Sequence, residues 1–471
     1  MNFVVFVVLG FMGTQVQAQD SDLISLSQSL IQSKYSGVNT DAVLIYKDGQ
    51  ILFEHYARGY DSNKKHLSWS MAKTFAGILI GQAIEEGKLG LDDPISKFIP
   101  ETQSKATIRN LLNMSSGIAF KEEYSGVPVD SDATKMLYMK GPKFGFGIYS
   151  AGLPNRKGAV AGEHFYYSIG DTNILMEILK RVSGTKSAYD ELPFKKIFQP
   201  LGISQATFEQ DAKGTFVGSS YVYLSAQDFL KFGQLLMNQG KVGNQEVIPS
   251  EYFKLMQALA PGVDKLALPG TSSQRAYSSQ ITTNRPIVGR GFNFPQYADL
   301  PEDSLIMIGH QGQWVIASPS EKLVIVRLGM DKGTSLDRYE FFAAVKTLIR
   351  DHQLTYTVPR DSNPTRYETH PSIPVSASKE KKEKGHLGDY FKVPHLIRAM
   401  AAKEYCSCIN VIGRSESDCK SDLKVSLPLL PRLKVSKNGD VKATLGSGVF
   451  GRASKAKFIS PELGCTLVQT R

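Results

Sequence analysis

A chain of 471 residues, 42% hydrophobic and 21% charged, has the composition of a soluble globular protein and room for two or three domains. The formal charge is +10, but thirteen Lys and seven Arg against eleven acids lie between residue 356 and the C-terminus, so nine of the ten net charges belong to the tail. With no internal repeat, no aromatic-plus-basic RNA motif and no glycine-rich phosphate loop, nucleic acid is excluded as a supported partner.

Residues 1–12 form an apolar run, and Val16 and Ala18 suit the small-residue cleavage rule, so a secretory signal peptide ending at Ala18 is expected, with an uncleaved anchor as the alternative. No later segment approaches the roughly 18 uninterrupted apolar residues of a membrane span. The expectation is an exported protein, periplasmic or extracellular.

Residues 23–31 read as helical. Two strand-like runs, 42–46 and 51–56, flank Asp48-Gly49, a strong hairpin signal. From Ser70 to about Ala260 the pattern is mainly helical, with amphipathic stretches at 107–113, 173–180 and 226–237. Strand character returns at 305–310 and 323–329, with a turn through residues 318–321, and a helix at 339–349 closes the unit. Strands at both ends with helices between them imply one sheet built from distant parts of the chain.

Residues 356–385, with Pro359, Pro364, Pro371, Pro374 and the run Lys379-Glu-Lys-Lys-Glu-Lys384, have the chemistry of a linker. The organisation predicted is a large domain over 19–355 and a small basic domain over 386–471. That last part holds all four cysteines, Cys406, Cys408, Cys419 and Cys465, expected as disulfides in any of three pairings. A zinc site with His395 is the rival, but Cys406-Ser-Cys408 lacks knuckle spacing, so no metal and no cofactor is expected. The basic tail suits an anionic envelope polymer or lipid headgroups, or is simply a solvated surface.

Chemistry enters at Ser70 and Lys73. The S-x-x-K spacing is cheap, recurring at Ser183/Lys186 and Ser421/Lys424 among others. Only at Ser70 does it open a buried helix, with Met71, Phe75, Ile78, Leu79 and Ala83 at helical spacing and Gly87 as a C-cap. Three residues apart on one face, the Lys73 amine reaches the Ser70 hydroxyl, and burial at a helix start favours a neutral lysine able to act as a base. Two further segments suit a proton relay and a carbonyl pocket: Gly162-Glu-His-Phe-Tyr-Tyr167-Ser-Ile-Gly170, which puts a phenol before a helix, and Gly309-His310-Gln-Gly312-Gln313, where glycines open the backbone beside a strand.

These segments, with Leu91-Asp-Asp-Pro-Ile, Ile108-Arg-Asn-Leu-Leu-Asn-Met-Ser-Ser-Gly117 and Ser225-Ala-Gln-Asp-Phe-Leu-Lys, resemble the penicillin-recognising, β-lactamase-related serine hydrolases over about residues 40–350. That branch holds class C β-lactamases, DD-peptidases, family VIII esterases and nylon-oligomer hydrolases. The resemblance implies an α/β chain of the α+β type, an antiparallel sheet flanked by helices with a mostly helical second lobe. It also implies Ser70 as acylated nucleophile, Lys73 as base, Tyr167 as relay, His310 and Gly312 at the substrate, and the backbone N–H groups of Ser70 and Gln313 as oxyanion hole. Two positions depart from the family. Ile169 stands where an amide-binding asparagine is usual, and His310 replaces a lysine. Both favour an esterase or amidase over a β-lactamase or D-alanyl peptidase; a non-catalytic envelope-binding protein on the same scaffold is the alternative from another class.

Overall fold

Asp48 and Gly49 turn the chain with φ of 48° and 91°, so β1 (Thr40–Lys47) folds back onto β2 (Gln50–Tyr56), as the Asp-Gly signal requires. The computed structural model describes residues 37–122, 128–265, 276–332, 338–353, 392–446 and 453–468. The leader expected at 1–18, the helix at 23–31 and the linker at 356–385 lie outside these residues.

Three long helices follow the hairpin: α1 (Ala72–Glu85), α2 (Ile169–Val182) and α3 (Ala226–Met237). Each starts or stops where its local chemistry dictates. Gly87 at φ 69° follows α1, while the side chains of Ser168 and Ser225 cap α2 and α3 by accepting from Asp171 N and Asp228 N. The later strands are β3 (Leu305–Gly309), β4 (Gln313–Ser318) and β5 (Leu323–Gly329), then helix α4 (Arg338–Gln353). The turn expected at 318–321 therefore joins β4 to β5 and not β3 to β5. Residues 313–318 form a strand of their own, whose Trp-Val-Ile-Ala run is buried on both sides and shows no alternation to mark it.

The sheet order is β2-β1-β5-β4-β3 followed by the short strand Thr282–Thr283, antiparallel throughout, so the N-terminal hairpin completes a sheet made mostly 270 residues later. Alternate residues feed two cores. Leu44, Val315, Val324 and Val326 face α1, α2 and α3, whereas Val43, Ile316 and Ile325 pack under Phe341, Phe342 and Val345 of α4. Gly233 lets α3 lie on the sheet: a Cβ there would sit 2.3 Å from Val324 Cγ1.

The C-terminal module has helices α5 (Val393–Ser407) and α6 (Glu416–Ser426) and a four-stranded antiparallel meander, β6 (Arg432–Val435), β7 (Val441–Thr444), β8 (Ser454–Ser460) and β9 (Gly464–Val468). Of the three pairings open to its cysteines, the structure takes Cys406–Cys465, joining α5 to β9, and Cys408–Cys419, joining the residue just after α5 to α6. All four thiols are consumed, which removes the zinc alternative.

This module shares its core with the rest of the chain. Leu396, Ala399, Ala402 and Tyr405 pack with Phe120, Met136, Tyr138, Ile169 and Tyr221. Polar groups are buried at the same junction. Glu209, fully buried, pairs with Lys403 and accepts from Ser407 Oγ at 2.7 Å, Cys465 N at 2.8 Å and Tyr223 Oη at 3.2 Å. Gly464 makes that approach possible, since a Cβ there would lie 2.5 Å from Glu209 Cγ. Nearby, Arg58 bridges Asp41 at 3.2 Å and Asp422 at 2.9 Å, and Arg414 reaches the other Asp422 oxygen at 3.2 Å. Buried charges are tolerated only when paired in this way.

Candidate active site

Ser70 sits in a single 3-10 turn, Trp69–Met71, leading directly into α1. Trp69 takes φ +45°, a left-handed conformation costing a bulky residue about 1–3 kcal/mol that survives only where the surroundings over-determine it. They do so here. Ser68 N donates to Val222 O at 2.8 Å, Val222 N returns to Ser68 Oγ at 3.1 Å, and Trp69 Nε1 donates to Gln311 Oε1 at 3.0 Å. The end of β3 presses on the same segment, for a Cβ on Gly309 would lie 2.4 Å from Ser68 O.

Lys73, 2% exposed, donates to Ser70 Oγ at 3.0 Å and to Ser219 O at 3.2 Å. Its Nζ lies 4.8 Å from the centroid of the Tyr167 ring. Hydroxyl, amine and phenol ring therefore converge from the start of α1 and from the residue before the Ser168 cap of α2. Ser219 is fixed by Asn173 Nδ2, which donates to its Oγ at 2.9 Å, and Tyr167 packs edge-on against Tyr277 with centroids 6.0 Å apart. The cleft over these groups is also lined by Thr74, Gln280 and Ile308.

Gln280 is a residue that sequence reasoning misses. At φ 60° it accepts from Thr74 Oγ1 through its carbonyl at 3.1 Å and from Thr172 Oγ1 through its side chain at 2.7 Å, and it donates to Leu111 O and Leu112 O at 3.0 Å each. One residue so ties α1, α2 and the short helix Ile108–Leu112 into one wall, and nothing in its neighbourhood in the chain marks it. Asp171 is a second such residue. Buried under the first turn of α2, it accepts from Ser116 Oγ at 2.8 Å through one oxygen while the other has no partner, and burial raises its pKa to about 7.

His310, Gln311 and Gly312 form the turn between β3 and β4. The His310 ring meets Trp69 edge-to-face with centroids 5.6 Å apart, and desolvation holds its pKa below the ordinary histidine value although one side remains exposed, so the neutral ring is favoured. Gly312, expected to open the backbone to a substrate, makes room for protein: at φ 85° a Cβ would lie 1.9 Å from Arg327 Nη1 and 2.3 Å from Asp331 Oδ2. Buried Arg327 binds both Asp331 oxygens at 2.9 Å and donates to Gly312 O at 2.7 Å. Gln313 opens β4 opposite Gly309, its side chain spanning to Gly329 O at 2.6 Å and Gly329 N at 3.0 Å.

The module touches this turn. Gln311 Nε2 donates to Ser426 Oγ at the end of α6, at 3.3 Å, while its Oε1 holds Trp69. Behind Trp69, Tyr221 lies 6.1 Å away and donates to Tyr138 Oη at 3.0 Å, which donates to Glu404 Oε1 at 2.9 Å. Burial raises the pKa of that carboxyl. Among the described residues no group of three or more His, Cys, Asp or Glu is placed to hold a metal.

Comparison with known proteins bears on the same region. The Beta-lactamase family pattern matches residues 28–346. The 6-aminohexanoate-dimer hydrolase of Paenarthrobacter ureafaciens is 23% identical over 232 residues, covering 46% of this chain and 57% of that one. The teichoic acid D-alanine hydrolase of Staphylococcus aureus is 24% identical over 252 residues, 51% of this chain and 58% of its own. The chain thus spans under two thirds of the length of either. A solved family VIII carboxylesterase, 15% identical, superposes with a TM-score of 0.50 over 73% of this chain and 99% of its own, which speaks for the fold. The family match ends before the module begins.

Proposed function

This chain belongs to the Beta-lactamase family, whose fold carries serine hydrolases, and on that premise we propose that it cleaves an ester or amide through an acyl-enzyme on Ser70. The observation that carries the reading is the Lys73–Ser70 hydrogen bond of 3.0 Å, made by a buried lysine that also donates to the main-chain carbonyl of Ser219 at 3.2 Å. Ser70 Oγ bonds to the substrate carbonyl carbon as its proton passes to Lys73 Nζ. The tetrahedral adduct then expels an alcohol or amine, protonated through Tyr167 and Lys73. Water attacks the acyl-enzyme, its proton returns to Ser70, and the free acid leaves. The oxyanion rests on the Ser70 and Gln313 backbone N–H groups, with the His310 ring flanking the acyl group.

Ester or amide substrates of modest charge are favoured over β-lactams. Ile169, 2% exposed, offers the substrate nothing: its backbone N is taken by Glu122 Oε2 at 2.7 Å. The neutral His310 supplies no fixed cation for a carboxylate. The two relatives are named as hydrolases of a 6-aminohexanoate dimer and of teichoic acid D-alanine, consistent with a hydrolytic role. An exported location is supported by the apolar leader ending at Ala18 and by the paired cysteines.

Incubation with a fluorophosphonate followed by mass spectrometry tests the reading. One adduct on Ser70 is expected, together with turnover of a p-nitrophenyl acyl ester that Ser70→Ala abolishes. Turnover surviving in Ser70→Ala would remove Ser70 from the mechanism, and an unlabelled Ser70 in a folded protein without turnover would make the chain a binding protein on a hydrolase scaffold.

A further inference from the structure

The outer face of the module's sheet carries a pattern that folding alone does not favour. In the register of β6, β7 and β8, Lys434 stands directly opposite Lys442, and Lys442 directly opposite Lys455. Like charges in directly opposed positions destabilise a sheet. Arg432 lies two residues before Lys434 and Lys457 two residues after Lys455, on the same face. Because β6 and β8 run the same way, the five cations form a diagonal stripe about 16 Å long, from strand spacings of ~4.8 Å and a rise of ~3.3 Å per residue. The inward residues Val441, Ala443 and Ala456 are buried, so the stripe faces away from the core.

These cations are little compensated. Lys455 meets Asp440 at 2.8 Å, but among the described residues no acidic side chain lies within ion-pair distance of Arg432, Lys434, Lys442 or Lys457. From these observations we infer that the stripe is a binding surface for a flexible, linear polyanion bearing phosphate or phosphodiester charges. Cation spacings of about 5–7 Å along and across the strands suit successive charges of such a chain. A bilayer is the poorer occupant, because among the large apolar side chains of these strands only Ile459 joins the face. Double-stranded nucleic acid is poorer too, since among the described residues no helix or ribbon projects from the sheet to enter a groove. The stripe lies outside the family match, and the inference stands independently of the chemistry at Ser70.

The experiment uses the full chain and long-chain inorganic polyphosphate as probe, with affinity measured over a series of salt concentrations. The wild type should bind with a steep salt dependence. Lys434→Thr/Lys442→Thr/Lys457→Thr, which keeps strand propensity, should weaken binding at least about tenfold and lower the log–log salt slope by about 2 to 3. The same three changes to Arg should preserve affinity. The Thr variant should melt at the same or a higher temperature and keep ester turnover, so lost binding cannot be lost folding; Ser70→Ala should bind as the wild type does. Equal affinity in wild type and Thr variant overturns the inference. So does tighter binding to phosphatidylcholine–phosphatidylglycerol vesicles or to duplex DNA than to polyphosphate.

Discussion

The Ser70–Lys73 pair and the module junction are held together over very different distances along the chain. Ser70 and Lys73 bond across three residues, whereas Glu209 meets Lys403 across 194 and Arg58 meets Asp422 across 364. The first contact is set by the pitch of one helix and would form in any fold that kept that helix buried. The second exists only once the whole chain has assembled. Damage to the first should therefore remove chemistry and spare the fold, and damage to the second should do the reverse.

The sharpest break in that contrast comes from Lys73→Ala. Loss of the general base should lower kcat/KM for an activated ester about 10⁴-fold, or about 5 kcal/mol, with an unchanged unfolding midpoint. A fall of less than tenfold would remove Lys73 from the proton path. On the other side, Glu209→Ala leaves the Lys403 ammonium buried without its carboxylate, and stability should drop by about 3 kcal/mol, read from denaturant unfolding. Little change in the unfolding midpoint would show the junction to be loosely held.

Asp171 tests the ground between the two regions, since it lies in the motif segment yet acts through burial. Its folded pKa of about 7 is above the unfolded value of about 3.9, so the native state binds the proton more tightly. Its stabilising contribution is complete below about pH 4 and disappears as pH rises through about 7. Denaturation midpoints should decline over that window in the wild type and less steeply in Asp171→Asn; parallel curves would refute the assignment. The smallest effect belongs to Ser426→Ala, which removes the one bond from α6 to Gln311. A net hydrogen bond of about 1 kcal/mol predicts a few-fold fall in kcat/KM at nearly constant stability. Unaltered kinetics would show that the module does not steady the turn.

What could be read beforehand follows the same division. The Asp48-Gly49 hairpin, the helix after Ser70 and the convergence of Ser70, Lys73 and Tyr167 rest on local spacing and on motif order, both present in the linear chain. Gln280 and Asp171 were invisible because the partners that fix them lie 55 to 206 residues away along the chain. Gly312 was legible as a special position but not in its purpose, because Arg327 and Asp331, which occupy the space beside it, announce themselves only as an arginine in an apolar strand and an acid after it. The strand at 313–318 was obscured by burial on both faces. The shared core of the module was hidden for a related reason: its apolar helix face looks the same whether it covers its own sheet or another part of the protein.

Glu209 has a consequence for how such a protein can be altered over time. Three of its four partners, Lys403, Ser407 and the amide of Cys465, come from beyond the family-matched region, so the hydrolase part has placed an ion in its interior that only this particular appendage can neutralise. Exchange of the appendage for another, by recombination or by design, would strand that carboxylate. The two parts can drift in sequence only as partners, and a functional transplant would have to carry a neutral residue at position 209 with it.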